Sequence, residues 1–219
     1  MATELRKSDV ARDCERRLAA YGLSIDLFHT ALRPGLSHAT NRSALALRSS
    51  PGTDLYHDSM EQFALRLADA KWKPVYVDRQ PRFLHPEGLL SFTLASAVDV
   101  ANPDLRREPR TKKKGKATRS ALSAPHIEDP TLFGTEAEQP EALVGEARRA
   151  PLWLLLHERT ERGLKLEFSR PELMTEHGIV HGWVDRIPMP FLDLDGDLSV
   201  FDNPDDGDGG FDVPVEPLR

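Results

Sequence analysis

The sequence predicts an α+β fold: N-terminal helices packed on a mostly antiparallel sheet of two β-hairpins or meanders, followed by a disordered acidic tail. Three observations carry this expectation. Apolar residues recur at helical spacing before residue 72. They alternate at period two in 75–95 and again in 164–168. After residue 191 the composition turns to Asp, Gly and Pro. The expected organisation is a helical part over 1–72, a sheet part over 73–190 with a basic, irregular insertion at about 99–149, and the tail 191–219. Together these make one compact domain plus a tail.

Residues 3–21 read as the first helix, with Val10, Cys14, Leu18 and Tyr21 on one stripe and Gly22 as its stop. Ser24 is placed to cap a short second helix bearing Ile25, Phe28 and Leu32, which Pro34-Gly35 should end. Ser49-Ser50-Pro51-Gly52 reads as a linker. Thr53 then reads as the N-cap of a third helix with the stripe Tyr56, Met60, Phe63 and Leu67. Trp72, at its exit, should anchor that helix on the sheet.

Val75 and Val77 alternate with Tyr76 and Asp78, and 82–85 is a second short run. The clearest hairpin is 83–95. Pro86-Glu87-Gly88 supplies the turn, and Leu90, Phe92 and Leu94 alternate with Ser91, Thr93 and Ala95, the pattern of a strand buried on one side. Residues 152–157 form an apolar run that suits a strand buried on both faces. Leu164, Leu166 and Phe168 alternate with Lys165, Glu167 and Ser169 as the second hairpin, which Arg170-Pro171 should break. Residues 179–187 return as a further strand, with Gly182 allowing a bulge. The sum is a sheet of five or six strands. Between the hairpins, 120–149 should be mostly irregular, with a brief helix at 141–149 and an isolated Leu132-Phe133 that docks on the core or serves as a short partner motif.

The net charge of −6 conceals an asymmetry: 106–119 holds eight Lys or Arg against Glu108 alone, and 191–219 holds nine acids against Arg219 alone. Cys14 is the lone cysteine, so no intramolecular disulfide can form, and its place on an apolar stripe suits an inert thiol. The first residues lack the apolar core of a signal peptide and no apolar run approaches a membrane span, so a cytoplasmic location without membrane contact is expected.

Motifs for chemistry fail one by one. His177 and His181 are four apart, but Gly178-Ile179-Val180 between them reads as strand rather than a metal-aligning helix. Asp193, Asp195 and Asp197 begin like a calcium loop, yet Leu198 and Pro204 stand where Gly and Glu are required. Gly115-Lys116 is followed by Ala117, so there is no phosphate loop. Lys165-Leu166-Glu167 reverses the order of a nuclease Glu-x-Lys, and no Gly-x-Ser-x-Gly occurs. No catalytic residue, cofactor or metal ligand is therefore assigned, and an enzyme whose site assembles only in three dimensions remains an open alternative.

The charge runs are the remaining candidates. Pro109 and Gly115 break any helix, so 106–119 should be a solvated loop. Arg106, Arg107, Arg110, Lys112, Lys113, Lys114, Lys116 and Arg119 are the candidate contacts to a nucleic-acid backbone or another polyanion, with little sequence readout. In the tail, Phe191, Leu194, Phe201 and Phe211 stand among aspartates, a composition suited to binding a protein partner or to folding back on the basic loop. Both runs also read simply as solvated charge.

Four segments carry a resemblance: 82–88 (Arg-Phe-Leu-His-Pro-Glu-Gly), 94–97 (Leu-Ala-Ser-Ala), 109–112 (Pro-Arg-Thr-Lys) and 115–119 (Gly-Lys-Ala-Thr-Arg). With the later 153–168 hairpin they resemble uncharacterised proteins of high-GC actinobacteria, some encoded near mobile elements. The resemblance covers under half the chain. It implies a bacterial or mobile-element accessory protein and assigns no activity to any residue.

Overall fold

The computed structural model describes residues 2–104, 106–122 and 139–194, with side chains from residue 9 onward other than those of 116 and 117. Three helices come first: α1 (Ala2–Ala19), α2 (Ile25–Thr40) and α3 (Ser50–Ala68). They cover one face of a sheet ordered β1-β2-β3-β5-β6-β7. Its strands are β1 (Lys73–Val77), β2 (Gln80–Leu84), β3 (Ser91–Val98), β5 (Leu152–Arg159), β6 (Gly163–Met174) and β7 (Val180–Pro188). Short strands extend it on either side: β4 (Arg110–Thr111) pairs with β3, and β8 (Leu192–Asp193) pairs with β6. All pairings are antiparallel except β3 with β5. The α+β class and the mostly antiparallel sheet follow the sequence expectation.

The first helix ends as its glycine dictates. Gly22 takes φ +66°, Gly22 N donates to Ala19 O, and Leu23 N donates to Leu18 O, a Schellman closure. Ser24 caps α2 through its side chain, which accepts from Leu27 N at 3.0 Å. Pro34-Gly35 does not end α2, contrary to expectation; the helix runs on to Thr40. The reason lies in the packing. A Cβ at position 35 would meet Leu55 O at 3.0 Å, so the glycine lets α3 approach closely, and that contact offsets the hydrogen bond lost at the proline. Nor is 49–52 a linker. Pro51 sits in the first turn of α3, where a missing N–H costs nothing, and Ser49 rather than Thr53 is the N-cap.

The core on the helix face is aromatic. Phe28, Phe63, Trp72, Phe83 and Phe168 have ring centroids 5.3–6.0 Å from that of Phe92 at its centre. The β2–β3 turn places Gly88 at φ +68° and closes with His85 N on Leu90 O. β3 is buried on both faces rather than on one. Its second face packs with Leu152, Leu154, Leu156 and Val180 into a separate apolar cluster, to which Trp183, Ala121 and Leu122 add. Two short helices help cover that face: α4 (Lys116–Leu122) and α5 (Glu141–Arg149), the latter matching the expected brief helix. Arg170-Pro171 shifts the β6–β7 register without ending β6. Leu132-Phe133 lies outside the described residues. No helix among the described residues is long and apolar enough to cross a membrane.

Candidate nucleic-acid interface

The basic segment is not the solvated loop that its composition suggests. It begins after a turn in which Asp99 and Ala101 take φ +60° and +48°. Left-handed backbone at two non-glycine residues needs support, and two carboxylates supply it. Glu158 Oε2 accepts from Val100 N at 3.1 Å, and Glu167 Oε2 accepts from Ala101 N at 2.9 Å. Glu167 is wholly buried. It also receives Arg186 Nε at 2.6 Å, Arg186 Nη2 at 3.0 Å and the Ser169 hydroxyl at 2.7 Å, so its charge is fully satisfied. That hydrogen bonding pushes the Arg186 guanidinium further above its already high range. Arg186 Nη1 reaches on to Arg107 O, which ties the buried pair to the basic segment itself.

From there 106–115 crosses between β3 and the β6–β7 hairpin as a stitched strap. β4 pairs Arg110 and Thr111 with Val98 and Ala97. On the other side, Gly182 N donates to Glu108 Oε2 and Trp183 Nε1 donates to Pro109 O. Val180 N donates to the Thr111 hydroxyl, and Lys114 N donates to Gly178 O at 2.7 Å. Gly178 has φ +84°, and a Cβ there would stand 2.6 Å from Lys114 O, so only glycine admits the strap. These contacts also occupy outward N–H groups of the edge strand β7, which would otherwise invite pairing with another chain.

The strap fixes its backbone and leaves most of its cations outward. Arg106, Arg107, Arg110, Lys112, Lys113 and Arg119 are exposed. Arg107 and Arg110 make only long contacts to Asp99, at 3.8 and 3.7 Å, and Arg119 donates to Glu176 O. Among the described residues, Lys112, Lys113 and Lys114 make no ion pair. Lys116 opens α4, against the expectation that Gly115 would exclude a helix there; its side chain lies outside the described atoms. Lys114 differs from its neighbours in being largely buried. Burial first, and the charge of Lys112 second, pull its ammonium down from 10.5 to about 8.

His157 was not a candidate from the sequence, where it ends an apolar strand and reads as core. In the fold it is 8% exposed, faces Ser96 across β3 and Leu166 across β6, and its Nδ1 has no protein partner. Burial, then Lys114, then Lys112 push the imidazole down to about 4, so it is neutral at pH 7. Arg82 is a second buried cation, on β2, and burial lowers its guanidinium to about 10. Its Nε donates to Gln80 Oε1, and Gln80 Nε2 donates to the Thr118 hydroxyl, a polar seam beneath α4.

Of the tail residues, Phe191 is partly exposed and lines an open groove with Thr160, Glu161 and Arg162. Leu192 is buried, and Leu194 packs on the main core, so the chain belongs to the fold as far as residue 194. Phe201 and Phe211 lie outside the described residues. Cys14 is buried and its thiol is pushed up to about 12 by that burial, which removes it as a nucleophile. Comparison with protein-family models, curated proteins and solved structures returns no match to this chain.

Proposed function

We propose that this protein binds polyanions, nucleic acid foremost, through the 106–119 strap, in a largely sequence-blind way. The observation that carries the reading is the strap itself. A backbone held on both sides presents Arg106, Arg107, Arg110, Lys112, Lys113 and Arg119 outward, and among the described residues Lys112, Lys113 and Lys114 make no ion pair with a carboxylate. Cations on a fixed backbone lose little freedom on meeting phosphates, and they gain affinity by releasing counterions. Without interleaved aromatics to stack on bases, the contacts are to the backbone. We place this activity in a cytoplasmic, bacterial accessory protein, with no catalytic step assigned.

The acidic tail is the internal competitor in this reading. β4, β3, β5, β6 and β8 lie side by side at one end of the sheet. The tail therefore leaves about four strand spacings, roughly 19 Å, from the basic strand. Twenty-five residues follow Leu194, ample chain to cover that gap. A second reading, as a protein adaptor, rests on Phe191 beside its open groove and would use the tail as its bait.

The test is fluorescence anisotropy with labelled single- and double-stranded DNA and RNA across a salt series. Five or six phosphate contacts predict a log–log salt slope of about −5 on duplex DNA. A form ending at Leu194 should bind more tightly than the full chain. Absence of binding by both forms at low salt sinks the reading, and equal affinity of the two forms sinks the shielding.

A further inference from the structure

We propose that Lys112, Lys114 and His157 form a seat for a single phosphoryl group at the inner edge of the basic strap. The inference rests on the polyanion reading and gives it a defined point of attachment. The geometry begins with the strands. Ser96 stands directly opposite His157, and Lys112 N donates to Ser96 O, so the strap passes two strand positions from the imidazole. Lys114 is pinned through its backbone to Gly178 and is partly buried, while its neighbour Lys113 remains exposed. Alternation along β5 puts His157 on the side of Trp153 and Leu155, whereas Glu158 faces the opposite side and bonds Val100 and Lys165. The nearest carboxylate in sequence thus points away from the cluster.

Each member lacks what an anion would supply. His157 Nδ1 is buried without a partner, and Lys114 is mostly buried without a counter-ion. Both orphaned groups are costly, and the buried carboxylate of Glu167, by contrast, is met by four donors. The charges that act on His157 are both positive. A phosphoryl group brings several acceptor oxygens and up to two negative charges, enough for two ammonium groups and one imidazole N–H. A metal cation is excluded by the two lysines. A carboxylate carries half the charge and fewer acceptors.

The experiment uses the full chain and inorganic phosphate at constant ionic strength, balanced with chloride, while the ring nitrogen signals of His157 are followed by NMR. The expected result is a saturable shift of those signals. Lys114→Met should weaken it at least about tenfold, the worth of one charge-assisted hydrogen bond, and Lys113→Met should leave it within about twofold. A further arm compares 5′-phosphorylated with 5′-hydroxyl oligonucleotides and with a mononucleotide. Tighter binding of the phosphorylated oligonucleotide assigns the seat to a nucleic-acid end. Equal binding of the mononucleotide assigns it to a small phosphate ester. A shift spread evenly over the strap with His157 silent overturns the seat. Nucleic-acid binding with the full salt slope and a silent His157 overturns the seat and leaves the polyanion reading standing. Saturable phosphate binding without nucleic-acid binding does the reverse.

Discussion

The two faces of the sheet are held by different physics. The helix face is closed by area: Phe28, Phe63, Phe83, Phe92 and Phe168 interlock beneath three helices, and no ion pair is buried among them. The strap face is closed by named polar contacts: Glu167 to Arg186, Thr111 to Val180, Glu108 to Gly182 and Trp183 to Pro109. Burial by area is non-directional and tolerant. A stitched face specifies one position for the strap and fails locally when one stitch is cut. The difference teaches that the first face carries the stability and the second carries the display of charge.

The largest test of that division is Phe92→Ala. The ring lies at the centre of the aromatic cluster and is wholly buried, so its loss should cost about 4–5 kcal/mol of global stability by denaturant unfolding. Amide exchange of the strap should remain protected until the whole domain opens. If strap amides exchange early in this variant, the faces are not energetically separate.

The helix face was also the legible one. Residues 14, 18, 28, 32, 63 and 67 share stripes that any helical spacing reveals, and all are buried. The misreadings on this face came from local rules overridden by contact. Pro34-Gly35 looks like a stop, but the price of the missing hydrogen bond is offset where Gly35 meets Leu55. The strap face gave no such signal. Its stitches join residues about 70 positions apart, Glu108 with Gly182 and Thr111 with Val180, and they run from side chain to backbone, which leaves no period to read. The eight cations of 106–119 were visible as composition. That the charge of Lys114 acts on a buried His157 was not, because no spacing within one segment encodes a meeting of two. Glu167 reads in the sequence as the polar side of an alternating strand, and only the fold shows that both faces of that strand are buried.

Glu167→Ala is the next effect in size. It strands Arg186 and releases the turn at Val100 and Ala101, so it should cost about 3 kcal/mol. The signature that sharpens the comparison is local. Amides of 100–114 should lose protection well below the global unfolding energy, while those of α2 and α3 change only with global stability. Uniform loss across both faces would show the buried pair to be part of one common core. Salt-dependent nucleic-acid binding should weaken as well, since the strap then has to be ordered on contact.

The smallest effect has the opposite sign, and it concerns the edge of the strap rather than either packed face. Lys114 is held near 8 against an ordinary 10.5, so folding disfavours its charged form. Above pH 10.5 the amine is neutral in both states and nothing is lost. As pH falls from 10.5 to 8 the unfolded chain takes up the proton first, and the cost grows; below 8 it is constant. Lys114→Met should therefore stabilise the protein at pH 7 by about 1–2 kcal/mol, discounted because the side chain keeps some solvent access. The gain should vanish as pH approaches 10.5. It should appear in thermal or urea unfolding while phosphate binding at His157 falls. His157, depressed from 6.5 to about 4, works in a different window: its cost starts below pH 6.5 and grows down to pH 4, so it leaves the Lys114 comparison at pH 7 untouched. A lysine that weakens the fold at neutral pH and strengthens anion binding is a residue placed for the ligand. If the methionine variant is less stable than the parent at pH 7, Lys114 already has a stabilising partner within the chain, and the strap's edge is closed by charge balance rather than left open for an anion.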